Sequence, residues 1–170
     1  MNTRRIIRTL LIFAILVVNI SCDQISKSIV RNKIDTDEQV SVVDNYVTLM
    51  RVENKGAFLS LGNTLPTPIR FILLSVFPLA VLGFGLGYLF FKTNLPKLSV
   101  LGFGFVIGGG IGNLYDRLVH GSVTDFLHID FVIFQTGIFN MADVSIMTGM
   151  LIVVIGSFIN RPKQDPAPVQ

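Results

Sequence analysis

Asn113, Asp116, Arg117, Asp125, Asn140 and Asp143 follow a run of glycines in the stretch from Gly108 to Asp143, and they lie between two strongly apolar runs. One apolar run ends near Ile107 and another starts at Val144. On a wetted surface such groups would be unremarkable. In a bilayer a carboxylate is costly, so an acid there marks a functional site by default. Two carboxylates forced together share one proton, because like charges a few ångström apart cannot both ionise. Such a pair can hold a water, deprotonate it with one oxygen and protonate a peptide carbonyl or leaving nitrogen with the other. That is the chemistry of aspartic proteolysis, and Asp125 and Asp143 are the candidates for it. Asp143 stands inside an apolar run with no basic residue near it in sequence, too deep to serve as a helix cap. Asp125 lies in Gly-Ser-Val-Thr-Asp-Phe, an alternating stretch suited to extended chain.

The other polar residues read as support. Asn113, Asp116 and Arg117 are spaced i, i+3, i+4 and share a helix face. A buried arginine tied down by amide and carboxylate partners is the favoured structure for them. Asn140, three residues before Asp143, suits a helix N-cap. Asp23 and Lys27 are i, i+4 neighbours; an interfacial pair with Lys27 snorkelling to water and a supporting role at the site both remain open. Other chemistries fit less well. His120, Asp125, His128 and Asp130 match no familiar metal spacing. Cys22 has no evident base and sits beside an acid. Gly108 to Gly110 and Gly112 lack the lysine of a phosphate loop, and close helix packing explains them better. Neither a metal nor a cofactor is expected.

The elements that must position these residues follow from composition. The 170 residues are 51% hydrophobic and only 15% charged. A water-soluble domain carries roughly 25% charge, and the mean hydropathy of +0.64 agrees with a membrane setting. The expected architecture is one integral membrane domain, all-α with a small β element, over residues 1–170. Its four spans run approximately over 6–29, 69–91, 98–115 and 139–159. The first resembles a signal peptide, yet Asn19 stands where a lipoprotein cleavage site before Cys22 wants an aliphatic, so a retained helix is expected. Pro78 predicts a kink in the second span. The glycines of the third predict a face packed on another span. Residues 31–68 hold two alternating β-branched segments, Val40 to Val43 and Tyr46 to Val52, which predict a small surface sheet. Residues 118–137 read as a polar loop and 161–170 as a disordered tail. Arg4, Arg5 and Arg8, Lys92 and Lys97, and Arg161 and Lys163 all fall on one side of a four-span topology, which the positive-inside rule makes cytoplasmic. No basic stripe offers a nucleic-acid surface.

Five segments together resemble a known family, bacterial lipoprotein signal peptidase or signal peptidase II. They are Asp23-Gln-Ile-Ser-Lys27, Asn54-Lys-Gly-Ala-Phe58, Gly109-Gly-Ile-Gly-Asn-Leu-Tyr-Asp-Arg117, Gly121-Ser-Val-Thr-Asp-Phe126 and Phe139-Asn-Met-Ala-Asp143. The resemblance runs from Ile12 to Ile159. It implies four transmembrane helices, an extracytoplasmic β-cradle over about 31–68 and an extracytoplasmic helix or loop between spans three and four. By the same resemblance Asp125 and Asp143 correspond to the catalytic dyad. Asp23, Lys27, Asn54, Gly109, Asn113, Asp116, Arg117 and Asn140 fall on supporting or substrate-binding positions. The implied substrate is a diacylglyceryl-modified prolipoprotein, cut just before its lipidated cysteine by a monomer surrounded by membrane lipid. One departure stands out: the family commonly shows Asn-x-Gly-Ala-Ala-Phe, whereas here Phe58 comes one position early. The alternative reading is a small proton- or ion-coupled transporter, which would want polar groups through the depth of the bundle and an internal repeat. A non-catalytic assembly protein would leave Asp143 without a reason.

Overall fold

The computed structural model describes residues 3–43, 46–57, 61–62, 64–131 and 133–160. Four helical stretches are long and apolar enough to cross a membrane. The first is α1, Thr3–Lys33; the second comprises α2, Thr67–Phe71, a π-helical turn, Ile72–Val76, and α3, Phe77–Phe91; the third is α4, Lys97–Val119; the fourth is α5, Met141–Ile159. Their outer surfaces are apolar: Phe84, Phe91 and Val18 are largely exposed. In water such faces would be a liability, and in hydrocarbon they are the expected surface. The tail expected to be disordered, 161–170, lies outside the described residues, and so does Phe58.

Pro78 does shape the second span, but the adjustment comes ahead of it. A proline inside a helix clashes with the carbonyl four residues back. Here the preceding turn is widened, and Phe77 N–H reaches back five residues to the Ile72 carbonyl. Arg8 fastens the other end of this span. Its Nη2 donates to the carbonyls of Leu89 at 2.7 Å and Lys92 at 2.8 Å, groups that the end of a helix leaves unpaired.

The glycines of α4 let the spans approach closely, in keeping with their pattern. A Cβ on Gly102 would meet the Gly149 carbonyl oxygen of α5 at 2.7 Å. One on Gly109 would run into the carbonyl of Ala142. Gly108 performs the same service toward Asn19 of α1. Asn19 itself places a polar side chain near the middle of α1. It is buried, and its Oδ1 accepts from Ser145 Oγ of α5 at 2.7 Å. Ile12, Leu16, Leu89, Val100 and Ile107 form one apolar core among the spans. Val30, Ile34 and Phe126 form a second beneath the sheet.

The sheet has three antiparallel strands in the order β1-β2-β3, namely Gln39–Val43, Val47–Asn54 and Val123–Ile129. The first two match the alternating segments read from the sequence. The third corrects the reading of 118–137 as a loop, because Val123–Ile129 pairs with β2 along its length. The chain then doubles back, and Phe139 exchanges backbone hydrogen bonds with Leu127 at 2.8 and 3.0 Å. That return sets Asn140, and with it the start of α5, beside Asp125.

Candidate active site

Each acid of the candidate pair is held by a different element. Asp125 is on β3, is buried, and reaches back to two asparagines. Its Oδ2 accepts from Asn54 Nδ2 at 2.9 Å, and its Oδ1 from Asn140 Nδ2 at 2.6 Å. Asn54 is itself fixed by an Asx turn, since its Oδ1 accepts from Gly56 N–H at 2.9 Å. Asp143 is half-buried in the first turn of α5. Its Oδ1 accepts from Asn113 Nδ2 at 2.9 Å and its Oδ2 from the Asn140 N–H at 3.1 Å. All four carboxylate oxygens therefore have one N–H donor each.

Asn140 is the hinge of this arrangement. It caps α5, as expected: its Oδ1 accepts from the Asp143 N–H at 3.1 Å, and Asp143 returns the bond, which makes a capping box. Asp143 is not the cap itself, in keeping with its position beyond Asn140, but as the third residue of α5 it is the cap's reciprocal partner. Asn140 thus holds Asp125 with its side-chain amide and Asp143 with its backbone. A cavity of about 20 Å³, lined by Asn54, Asn113, Arg117, Asp125, Asn140 and Asp143, lies between the two acids. That is room for a single water with several polar partners. Two larger clefts, of about 460 and 400 Å³, open on either side of Asp143 and Met147. The first is lined mainly by Phe139, Val144 and Met147; the second by Leu74, Pro78 and Ile146.

Behind the pair lies a buried ionic cluster. Lys27 is fully buried, which decides between the two readings left open and rules against a lysine snorkelling to water. Its ammonium meets Asp23 Oδ2 at 2.8 Å, Asp116 Oδ2 at 2.9 Å and Asn113 Oδ1 at 2.9 Å, so its three protons are all used. Because Asn113 accepts from Lys27, its amide group must face Asp143, and this fixes the orientation of both. Asp23 also reaches α5, where its Oδ1 accepts from the Ala142 N–H at 2.9 Å and satisfies an open donor at the helix start. The expected pairing of Arg117 with a carboxylate is replaced by backbone contacts. Its Nη2 donates to the Gly56 carbonyl at 3.0 Å and its Nη1 to the Asn113 carbonyl at 3.4 Å. Asp116 pairs instead with Lys27 and with Arg31 at 2.9 Å. The histidines stand apart: His120 is exposed beside Arg31, and His128 is on β3 opposite Thr48. Among the described residues no cluster of histidines, cysteines or acids could hold a metal ion.

The sequence family described as signal peptidase (SPase) II matches residues 15–159. The chain belongs to that family. It is 33% identical over 148 residues to the lipoprotein signal peptidase of Maridesulfovibrio salexigens, covering 85% of this chain and 93% of that one. It is 32% identical to the lipoprotein signal peptidase of Streptococcus pneumoniae over 85% of this chain and 90% of that one. A solved bacterial membrane enzyme, determined by the in meso method at 2.3 Å, superposes with a TM-score of 0.79 at 19% identity and covers 94% of each chain. That likeness concerns the fold. The resemblance read from the five segments is thereby shown over most of the chain.

Four residues of this family member were not singled out from the sequence: Arg31, Glu53, Ser122 and Thr124. Arg31 Nε donates to Thr124 Oγ1 at 2.8 Å, and Glu53 accepts from both hydroxyls. All four sit in polar stretches, where one more polar residue carries no signal.

Burial pushes the Asp125 carboxyl up to about 6, and nearby Asp143 acts in the same sense, while the bonds from Asn54 and Asn140 oppose the rise. The folded value lies above the unfolded one, so the fold favours the protonated form. Stability from this group is complete below the ordinary aspartate range and is lost as pH rises through about 6. Thermal unfolding in detergent should therefore lose about 1–3 kcal/mol to Asp125 between roughly pH 4 and pH 8. Asp125→Asn should flatten that dependence; an unchanged slope in the variant would contradict the assignment.

Proposed function

We propose that Asp125 and Asp143 are the catalytic dyad of this lipoprotein signal peptidase and that they share one proton over the small cavity between them. The carrying observation is the set of four amide donors on their four oxygens, closed around a space the size of one water. The shared proton resides chiefly on Asp125, which burial favours in the neutral form. The ionised partner takes a proton from the water as its oxygen attacks the scissile carbonyl carbon, and the protonated carboxyl donates to the carbonyl oxygen. Collapse of the tetrahedral intermediate breaks the C–N bond as the proton gained from water passes to the leaving nitrogen, and a hydroxyl of the intermediate returns its proton to the Asp125 carboxylate, which restores the shared-proton pair. The three asparagines hold the carboxyl planes still, so little reorganisation is needed at the moment of reaction. Asn113 and Lys27 support Asp143; Asn54 and Asn140 support Asp125; Asp23 and Gly109 seat the start of α5; Asp116 anchors Lys27.

The substrate we infer is a prolipoprotein whose cysteine already carries diacylglycerol, cut immediately before that cysteine. Two apolar clefts meeting at Asp143 support this reading, since an apolar signal sequence and lipid chains both need dry surface beside the acids. The enzyme acts as a monomer in membrane lipid, with residues 1–170 as one integral unit. Its basic loops face the cytoplasm and its dyad the opposite leaflet. Arg8 supports this sidedness by joining the basic start of α1 to the basic end of α3.

The test is cleavage of a diacylglyceryl-modified prolipoprotein reporter by the purified protein with chelator present, read by mass spectrometry of both products. A single cut before the modified cysteine is expected, with no cut in the unmodified precursor. Equal cleavage of both precursors, or loss of activity on chelation, would overturn the reading.

A further inference from the structure

Where β2 and β3 pair, they offer two faces. Glu53 lies opposite Thr124 in the ladder, and Asn54 lies opposite Val123. Side chains alternate along a strand, so Asn54 and Asp125 share the face toward the dyad, whereas Glu53, Ser122 and Thr124 share the reverse face. On that reverse face Glu53 Oε2 accepts from Ser122 Oγ at 2.7 Å and Oε1 from Thr124 Oγ1 at 3.0 Å. Thr124 Oγ1 accepts in turn from Arg31 Nε at 2.8 Å, so its hydroxyl has one orientation only. Arg51 adds a longer contact to Glu53 at 3.4 Å. The Glu53 carboxylate is half-buried, touches no wall of the dyad cavity and has no part in the proposed chemistry.

The backbone ladder gives a reason for this concentration of polar groups. The β2–β3 register shifts between Leu49 and Val52, and Val52 is the residue opposite Asp125. The ladder is thus irregular at the point where an acid must be placed to a fraction of an ångström. A one-residue slip there would turn Asp125 to the wrong face. Even a displacement of about 1 Å can cost roughly 100-fold in rate.

We infer that Glu53 is a positioning residue for Asp125: by gripping Ser122 and Thr124 on either side of Val123, it locks β3 against β2 and holds Asp125 to Asn54. This rests on the reading of Asp125 as one of the dyad. The bonds from Ser122, Thr124 and Arg51 outweigh the effect of burial and hold the Glu53 carboxyl below the usual glutamate value, so the grip persists in mildly acidic conditions.

Glu53→Ala should lower kcat by roughly 10- to 100-fold with KM within about threefold, because alignment is lost and not binding. Glu53→Gln should recover most of the rate, since its amide keeps an acceptor for Thr124 and offers an N–H to the Ser122 oxygen. The sharper readout is non-additivity. Glu53→Ala in an Asn54→Ala background should cost no more than about twofold beyond Asn54→Ala alone, as the contact it aligns is already gone. Unchanged kcat in Glu53→Ala, or losses that multiply in the double variant, would overturn the inference. If Glu53→Ala does not stay folded in detergent, Ser122→Ala removes half of the grip and should lower kcat several-fold with the same non-additivity; full kcat there would overturn it equally. Asp125→Asn run alongside separates the two readings. Activity surviving in Asp125→Asn sinks the dyad and this inference with it. An inactive Asp125→Asn beside a fully active Glu53→Ala sinks the inference alone.

Discussion

Asp143→Asn should reduce cleavage by roughly 1,000-fold or more while leaving the protein folded, because general acid–base chemistry of this kind is worth about two to four orders of magnitude. The variant keeps the size of the side chain and can still accept the Asn140 N–H, so the capping box of α5 survives. What it cannot keep is both acceptors. Asn113 donates to Oδ1 of Asp143 and is unable to flip, since its own oxygen is committed to Lys27. One amide would face another across that contact, at a cost of about 1–3 kcal/mol. Melting in detergent should fall by that modest amount, whereas the initial rate of reporter cleavage should drop to the limit of detection. A variant retaining a tenth of the rate would show that Asp143 is structural. That alternative is a real one, because the structure gives Asp143 a place in the helix cap that its sequence position concealed.

Lys27→Met should be the most destabilising single change in the ionic cluster. It leaves the Asp23 and Asp116 carboxylates, both fully buried, without the ammonium between them. Asp116 keeps Arg31, but the carboxylate of Asp23 retains no cation. Removing one member of a buried pair costs about 3–5 kcal/mol, much more than the pair adds over an apolar replacement. Asn113 would lose the bond that orients it, so activity should fall with stability. Adding Asp23→Asn should recover part of the loss, because the uncompensated charge is then removed. Unfolding midpoints of the two variants in detergent decide the matter. A loss below about 1 kcal/mol in Lys27→Met would mean that water reaches the cluster.

The spans are legible because apolar runs of such length have little use outside a bilayer, and the first two strands because β-branched residues alternate there. Asp143 stands out for a related reason: an acid at the edge of an apolar run is itself information, and Asp125 follows from it as the partner acid in an alternating segment. The third strand is harder to see. Val123–Ile129 is short and has meaning only once β2 is beside it, about 70 residues earlier in the chain. Glu53 and Arg31 are invisible for the same reason, since their partners are set by sheet register and not by spacing along the chain. Lys27 shows the opposite limit. Its spacing from Asp23 is plain, but whether it snorkels or stays buried depends on Asp116 and Asn113 arriving from α4. Arg117 misleads because three polar residues on one helix face look as if they satisfy one another, whereas Asn113 and Asp116 both turn to Lys27 of α1 and Arg117 turns to the Gly56 carbonyl.

The dyad is tested most directly by measuring one rate in four proteins: wild type, Asp125→Asn, Asp143→Asn and the double variant, each acting on the lipid-modified reporter. Two carboxyls that share a proton work as one unit, so each single change should cost nearly as much as both together, roughly 1,000-fold, with the double variant no worse than about threefold below either. Losses that multiply in the double variant, or a single variant that keeps a rate comparable to wild type, would contradict a shared-proton dyad.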